Sequence, residues 1–259
     1  MHKLIEETET HLGQCAACHA DRVQAKGTVV TGERGEISGV GDLVSGARRE
    51  DRLCRLLNLI VAIVGLLLTI PLMIMIAILI KLTSRGPIFF TQPRVGLDSR
   101  RSPPRDTNHR RSVDQGGRIF KIYKFRTMTE SGPMRQVWAS PDDPRITPLG
   151  RVLRRYRLDE LPQLINVIRG EMNVVGPRPE QPEIFHELRS QIDGYTLRQR
   201  VLPGITGWAQ INLHYDRSIE DVERKLQYDL EYLARRSWRE DLRIMARTLP
   251  VMIFRRGGW

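Results

Sequence analysis

Cysteine is scarce in this 259-residue chain: Cys15, Cys18 and Cys54 are the three it has. That is too few for a disulfide framework and fits a reducing compartment. The stretch CAACH at residues 15–19 matches the c-type haem attachment pattern, a chemistry that requires export. Yet the first ten residues hold three Glu and no apolar core of a secretory signal, so neither haem nor a metal site is expected there. Neither a GxGxxG nor a Walker A pattern occurs, which argues against a Rossmann or P-loop nucleotide site. Acidic balance is missing too: the formal charge is +11, and residues 1–50 carry 6 Lys+Arg against 8 Asp+Glu, leaving 35 against 22 for the remainder. Such an excess suits nucleic acid, anionic lipid headgroups or phosphate-bearing substrates, and charge alone does not choose among them.

What is present divides the chain into three parts. Residues 1–46 are polar and dotted with Gly, and read as a loosely ordered leader. Residues 56–82 are LLNLIVAIVGLLLTIPLMIMIAILIKL, uncharged until Lys81, far more apolar than a soluble helix requires. As a helix the run would reach about 40 Å, enough for a hydrocarbon core of about 30 Å. Pro71 divides it into arms of 15 and 12 residues, roughly 22 and 18 Å long and each short for crossing. Basic residues flank both ends, with Arg48, Arg49, Arg52 and Arg55 before the run and Lys81, Arg85 and Arg94 after it. The positive-inside rule therefore favours neither end for translocation. A re-entrant helix-break-helix over residues 47–85, with Pro71 at the break, fits both facts, and a kinked single span is the alternative.

Residues 86–259 form the expected cytoplasmic domain. Residues 99–117, rich in Arg, Pro, Ser and Asp, read as a solvated loop, and RIFKIYKFRTM after it as a strand. Thr147 and Pro148 make an N-cap and N1 pair for a helix carrying Leu149, Val152, Leu153 and Tyr156. A second helix follows with Leu161, Leu164, Ile165 and Ile168, stopped by Gly170. Between them stands RLDELPQL, which places Asp159 and Glu160 at a helix junction within five residues of Arg154, Arg155 and Arg157. In isolation a carboxylate pair in a first turn is a helix-start device, and the arginines a solvated face. GEMNVVGPRPE and LPGITGWAQI are Gly/Pro-punctuated loops that contribute Arg178 and Trp208. The C-terminal segment mixes Leu242, Met245, Leu249, Met252 and Phe254 with arginines, suited either to a membrane surface or to packing on the core.

The order of a membrane helix, KFRTM, LDELPQL, GEMNVVGPRPE and PGITGWAQI resembles the bacterial sugar transferases, the monotopic polyprenyl-phosphate glycosyl-1-phosphate transferases, over residues 52–259. The resemblance implies an α-helix-rich fold with minor β and no Rossmann domain. It also implies an enzyme at the cytoplasmic face of the bacterial inner membrane, among that membrane's lipids. The reaction it implies moves a sugar-1-phosphate from a UDP-sugar to undecaprenyl phosphate, releasing UMP, by way of a covalent aspartyl-phosphosugar. Carried over to this chain, Asp159 is the nucleophile and lies near Mg²⁺, Glu160 supports the metal or positions the incoming phosphate, and Lys124, Arg126, Arg154 and Arg178 bind phosphates. These residue types suit the chemistry, since a carboxylate is repelled by a diphosphate until cations neutralise its oxygens.

Two departures from the family pattern stand out. Ile70, not Ser, precedes Pro71, with Thr69 the nearest hydroxyl, and most of residues 99–117 is an insertion where relatives have a short turn. A basic membrane-anchored binding or assembly protein is the non-enzymatic alternative, and it leaves the dyad without a role. No nucleic-acid partner is expected, and the oligomeric state, a homodimer included, stays open.

Overall fold

The computed structural model describes residues 48–99, 116–129, 143–213 and 218–254. The leader at 1–46, the Cys15–His19 pattern and most of the 99–117 insertion lie outside the described residues. Helix-rich architecture is found as expected, with two small two-stranded sheets and no Rossmann sheet among the described residues.

The longest element is α1 (Arg48–Thr83), 36 residues or about 54 Å of helix. Among the described residues it is the one helix long and apolar enough to cross a membrane, with mean hydropathy 3.0, and only 11% of its most apolar window is buried. A core helix of a soluble protein would be mostly covered; this one turns Leu67, Leu68, Ile74, Met75 and Leu82 outward. Its inward residues recur every three or four positions, as Cys54, Asn58, Ala62, Gly65, Thr69, Met73, Ile76 and Ile80, which is one helical face.

The helix does not stop at Pro71. A break between two arms is expected from the sequence, but Arg48–Thr83 is one helical element with Pro71 inside it. The inward stripe stays in phase across the proline, so both arms pack on the same surface and offset the lost backbone bond. Thr69 Oγ1 also donates to the Gly65 carbonyl at 2.7 Å, adding a bond in the preceding turn.

After α1 the chain makes an antiparallel hairpin of β1 (Phe89–Val95) and β2 (Ile119–Phe125), with Phe89 opposite Phe125 and Val95 opposite Ile119. Residues 96–118 connect the two strands, so the insertion falls between β1 and β2 in the chain. The tip closes independently of it: Gly96 N donates to Arg118 O at 2.9 Å and Arg118 N to Leu97 O at 3.0 Å. A Cβ on Gly117 would lie 2.3 Å from Gly96 O, so only glycine permits this closure. Lengthening a loop whose ends are already joined costs little.

Next come α2 (Pro148–Arg155), a 3₁₀ turn at Leu158–Glu160, and α3 (Gln163–Ile168). Thr147 caps α2 as expected, its hydroxyl accepting from Gly150 N at 2.9 Å, and Gly170 ends the α3 region with φ +81°. The inward face of α3 differs from the expected one. Gln163, Asn166 and Val167 are buried while Ile168 is 40% exposed, and Ile165 lines an open apolar groove together with Leu66, Ile70 and Met73 of α1.

Strand β3 (Asn173–Val175) then pairs in parallel with β4 (Gly204–Thr206) after a crossover through α4 (Pro182–Gln191) and a 3₁₀ turn at Tyr195–Arg200. A short helix α5 (Trp208–Asn212) and two long ones, α6 (Ile219–Arg235) and α7 (Trp238–Phe254), complete the domain. Of the two expectations for the C-terminal segment, α7 shows the packing on the core. Ile244 is fully buried in a cluster with Val175, Val201, Trp208, Tyr232 and Leu233, while Leu242 and Leu249 are 50% and 62% exposed.

Apolar and polar contacts together bind α1 to this domain along its length. Ala62 joins Phe120, Ile122, Val167 and Met172, and Ile76 with Ile80 joins Phe125 and Leu153. Arg55 donates to Val167 O at 2.5 Å, Met172 O at 2.7 Å and Asn173 Oδ1 at 3.0 Å. Asn58 donates to Asp241 Oδ2 at 2.7 Å and accepts from Val175 N at 2.9 Å. At the other end, Arg126 donates to Ser84 O and Oγ, each at 2.8 Å, and to Arg85 O at 2.7 Å.

Candidate active site

Asp159 and Glu160 sit in the 3₁₀ turn between α2 and α3, both buried at 8% and 6% exposure. The chain enters that turn through Arg157, whose φ of 53° is the one positive value at a non-glycine residue among the described residues. A left-handed arginine is uncommon and costs conformational energy; here it reverses the chain at the end of α2 and starts the turn that carries the carboxylates. Leu158 and Leu161 on either side of the dyad pack against Ile76, Ile80, Phe125 and Leu153. The membrane helix is thus part of the floor of the site.

The two carboxylates have different surroundings. Glu160 Oε1 receives Arg178 Nη2 at 2.7 Å and Lys124 Nζ at 2.9 Å, and Arg157 Nη1 lies 3.9 Å from Oε2. Burial alone pushes Glu160 up, but Arg178, Lys124 and Arg157 outweigh it and hold this carboxyl well below the usual range. Asp159 has no hydrogen-bond or ion-pair partner among the described residues. Burial first, and the Glu160 charge second, push it above the ordinary aspartate value, against Lys124, Arg154 and Arg178. Its oxygens are therefore neither covered by protein cations nor remote from them.

Lys124 comes from β2 and Arg154 from α2, and a close backbone contact brings these elements together. Thr147 N donates to Thr127 O at 3.0 Å, and a Cβ on Gly150 would lie 2.1 Å from that same oxygen. Arg154 Nε then donates to Thr127 Oγ1 at 2.9 Å. Burial lowers the Lys124 ammonium, although Glu160 pulls the other way. Counting Arg157, four cations surround two carboxylates, an arrangement with spare positive charge for an anion. Gln163, the first residue of α3, is 1% exposed and its amide nitrogen has no partner, a state that costs energy unless a ligand or water satisfies it.

Two loops that the sequence presents as separate motifs are one structural unit. The start of GPRPE and the start of PGITGW lie side by side where β3 pairs with β4: Gly176 N donates to Thr206 O and Gly204 N to Pro177 O, each at 2.9 Å. A Cβ on Gly204 would lie 2.1 Å from Gly176 N, so the backbones touch directly.

A family model described as bacterial sugar transferase matches residues 49–255. The chain belongs to the bacterial sugar transferase family. UDP-glucose:undecaprenyl-phosphate glucose-1-phosphate transferase of Escherichia coli strain K12 is 39% identical over 216 residues, 82% of this chain and 41% of that protein. UDP-N-acetylgalactosamine-undecaprenyl-phosphate N-acetylgalactosaminephosphotransferase of Aeromonas hydrophila is 36% identical over 198 residues, 76% of this chain and 43% of that one. An exopolysaccharide production protein of Sinorhizobium fredii is 34% identical over 221 residues, 79% of this chain and 87% of the relative. The chain spans about two-fifths of the length of the first two relatives.

In this member of the family the structure brings Asp159, Glu160, Lys124, Arg154 and Arg178 together. It places Arg126 elsewhere. That guanidinium is held on the carbonyls that end α1, next to Gly86, where an added Cβ would lie 2.1 Å from Arg126 Nη1. Trp208 is 8% exposed, with Nε1 donating to Glu231 Oε2 at 2.8 Å and Arg235 and Arg247 over its ring, so it is a packed side chain rather than an open stacking platform. Arg157 was not singled out as a site residue by the sequence motifs, although its place just before the dyad was the available signal. Asn58 and Arg55 were also missed, because their partners lie more than 100 residues away.

Proposed function

We propose that this sugar transferase moves a sugar-1-phosphate from a UDP-sugar to undecaprenyl phosphate, releasing UMP, at the cytoplasmic face of the inner membrane. One observation carries the reading: an unpartnered carboxylate, Asp159, stands beside a second one, Glu160, whose Oε1 is held by two cations. In the first step an Asp159 oxygen bonds to the sugar-bearing phosphorus of the donor while the bond from that phosphorus to the bridging oxygen breaks, and UMP leaves with that oxygen. In the second a phosphate oxygen of the lipid attacks the same phosphorus, the bond to Asp159 breaks, and the carboxylate is restored.

Glu160 in this scheme organises the cations. It holds Lys124 and Arg178 in place to meet phosphoryl oxygens, with Arg154 on the other flank of Asp159. The single open carboxylate also fits Mg²⁺, which takes one or two carboxylates and completes its shell with water and phosphate oxygens. When bound at Asp159, Mg²⁺ would neutralise phosphate charge that otherwise repels the nucleophile.

The arrangement of α1 supports a monotopic, re-entrant placement. Arg55 and Asn58 near its start and Ile76, Ile80 and Ser84 near its end all contact the one catalytic domain. Fastening of both ends to one domain supports entry and exit by the same side of the bilayer. Single cysteines placed on either side of residues 56–82 are expected to react with an impermeant label from the same compartment; labelling from opposite sides would establish a span. The activity itself is tested by UMP release from a panel of UDP-sugars in detergent with Mg²⁺, with and without undecaprenyl phosphate. Sustained release that requires the lipid is expected with at least one sugar, and its absence across the panel would count against the reading.

A further inference from the structure

Arg178 reaches Glu160 from a loop with almost no freedom of its own. Pro177 and Pro179 fix φ on both sides of it. Four consecutive carbonyls of this loop are each taken by a donor from elsewhere in the fold. Pro177 O accepts from Gly204 N at 2.9 Å, Arg178 O from Arg198 Nη2 at 2.9 Å, Pro179 O from Arg94 Nη1 at 3.1 Å and Glu180 O from Val95 N at 2.9 Å. Two of these donors are backbone groups, Gly204 N and Val95 N. The other two are arginine side chains whose reach is specific.

Arg198 is the more unusual of the pair. It lies in the 3₁₀ turn at Tyr195–Arg200, is 1% exposed, and makes no hydrogen bond or ion pair to the dyad. Its Nε donates to Asp229 Oδ2 at 3.0 Å, and Nη2 lies 2.8 Å from the same oxygen. Nη1 donates to the Tyr195 hydroxyl at 2.7 Å and more distantly to Glu180 Oε1 at 3.4 Å. Burying a guanidinium is costly, and a hydrophobic side chain would fill the space more favourably if packing were its only task. What a hydrophobic or a lysine side chain lacks is the planar fork, which here spans Asp229 of α6, Glu180 and the carbonyl of Arg178 at once.

We propose that Arg198 is a positioning residue for Arg178: anchored on Asp229, it fixes the Arg178 backbone so that the Arg178 guanidinium meets Glu160 and the donor phosphates, with Arg94 performing the same service one residue later. This rests on the reading of Arg178 as a phosphate-binding residue. It differs from a role in stability because its effect must pass through the Arg178 side chain.

A double-mutant cycle on the full chain in detergent, read as kcat/KM for UMP release with the best UDP-sugar, tests it. Arg198→Lys is expected to lower kcat/KM about 10- to 100-fold, the range a displaced catalytic contact can cost. In an Arg178→Met background the same change should have an effect of less than about 2-fold, since nothing is left to position. Arg94→Gln, at a partly exposed site that tolerates substitution better, should give a smaller loss with the same silence in the Arg178→Met background, and it carries the test if Arg198→Lys does not fold. Equal fold-losses in both backgrounds would overturn the positioning role and leave the function of Arg178 intact. An Arg178→Met enzyme with undiminished kcat/KM would overturn the phosphate role of Arg178 and the positioning role with it.

Discussion

Asp159→Asn is expected to reduce UMP release by roughly 10³-fold or more, the scale at which removal of a nucleophile acts. Incubated with a UDP-sugar and no lipid acceptor, the wild-type protein should gain the mass of one sugar phosphate and the variant none. An Asp159→Asn protein that keeps wild-type turnover would remove the covalent step from the scheme. A slow variant alongside a wild-type enzyme that never gains mass would favour direct transfer, with Asp159 serving as a metal ligand. The pH dependence should carry the same signature. Asp159 must be ionised to attack, and burial together with Glu160 raises it above the ordinary aspartate value of 3.8. The acid limb of kcat/KM should therefore lie above that value, with activity falling as pH falls through it. Lys124→Met removes a charge that favours the ionised form and should move the limb to higher pH. Stability is linked with the opposite sign. A carboxyl raised in the folded state contributes stability that is full below its unfolded pKa and lost as pH rises through its folded one. Asp159→Asn should accordingly melt no lower than wild type at pH 7, and its advantage should disappear in acid.

Asn58→Leu should destabilise the protein even though it makes the membrane helix more apolar. Hydropathy alone favours the change, Leu being worth about 0.5 kcal/mol at the centre of a membrane helix. Asn58 does not face lipid, however. It is 0% exposed, accepts from Val175 N at 2.9 Å and donates to Asp241 Oδ2 at 2.7 Å, and Asp241 is itself fully buried with Tyr232 on its other oxygen. Leucine would leave a buried backbone N–H and a carboxyl oxygen unpaired, at about 1–3 kcal/mol each. A net loss of roughly 3 kcal/mol corresponds to a fall of about 6–12 °C in Tm for a domain of this size. Thermal unfolding in detergent measures it, and a Tm at or above wild type would show that the contact with β3 adds nothing. Asn58→Asp would not be a gentle substitute, because it would set a second carboxyl against Asp241.

Much of the site could be read from the chain because its signals are local. Thr147 and Pro148 announce the start of α2, the apolar spacing of Leu149 and Leu153 gives its inward face, and the carboxylates fall where one helical pattern ends and the next begins. The apolar run of α1 needs no tertiary information at all. Local rules gave the wrong weight at Pro71, where backbone chemistry favours a break but a stripe of contacts on both sides of the proline keeps one helix. Nor does a motif tell where the Arg126 guanidinium goes, since an arginine in a basic motif looks the same whether it meets a phosphate or the carbonyls ending a helix.

The amino-acid sequence by itself determined that this chain joins an apolar helix to a domain with paired carboxylates among arginines. Residue type and spacing carry that information within a few turns of chain. Only the tertiary structure decided which carboxylate is unpartnered and which is occupied, that GPRPE and PGITGW meet at a parallel strand pair, that Arg55 and Asn58 fasten α1 to the domain, and that Arg198 donates to the Arg178 carbonyl. Those outcomes depend on hydrogen bonds and charges meeting across long separations in the chain. Pairings of that kind leave no periodicity in the sequence.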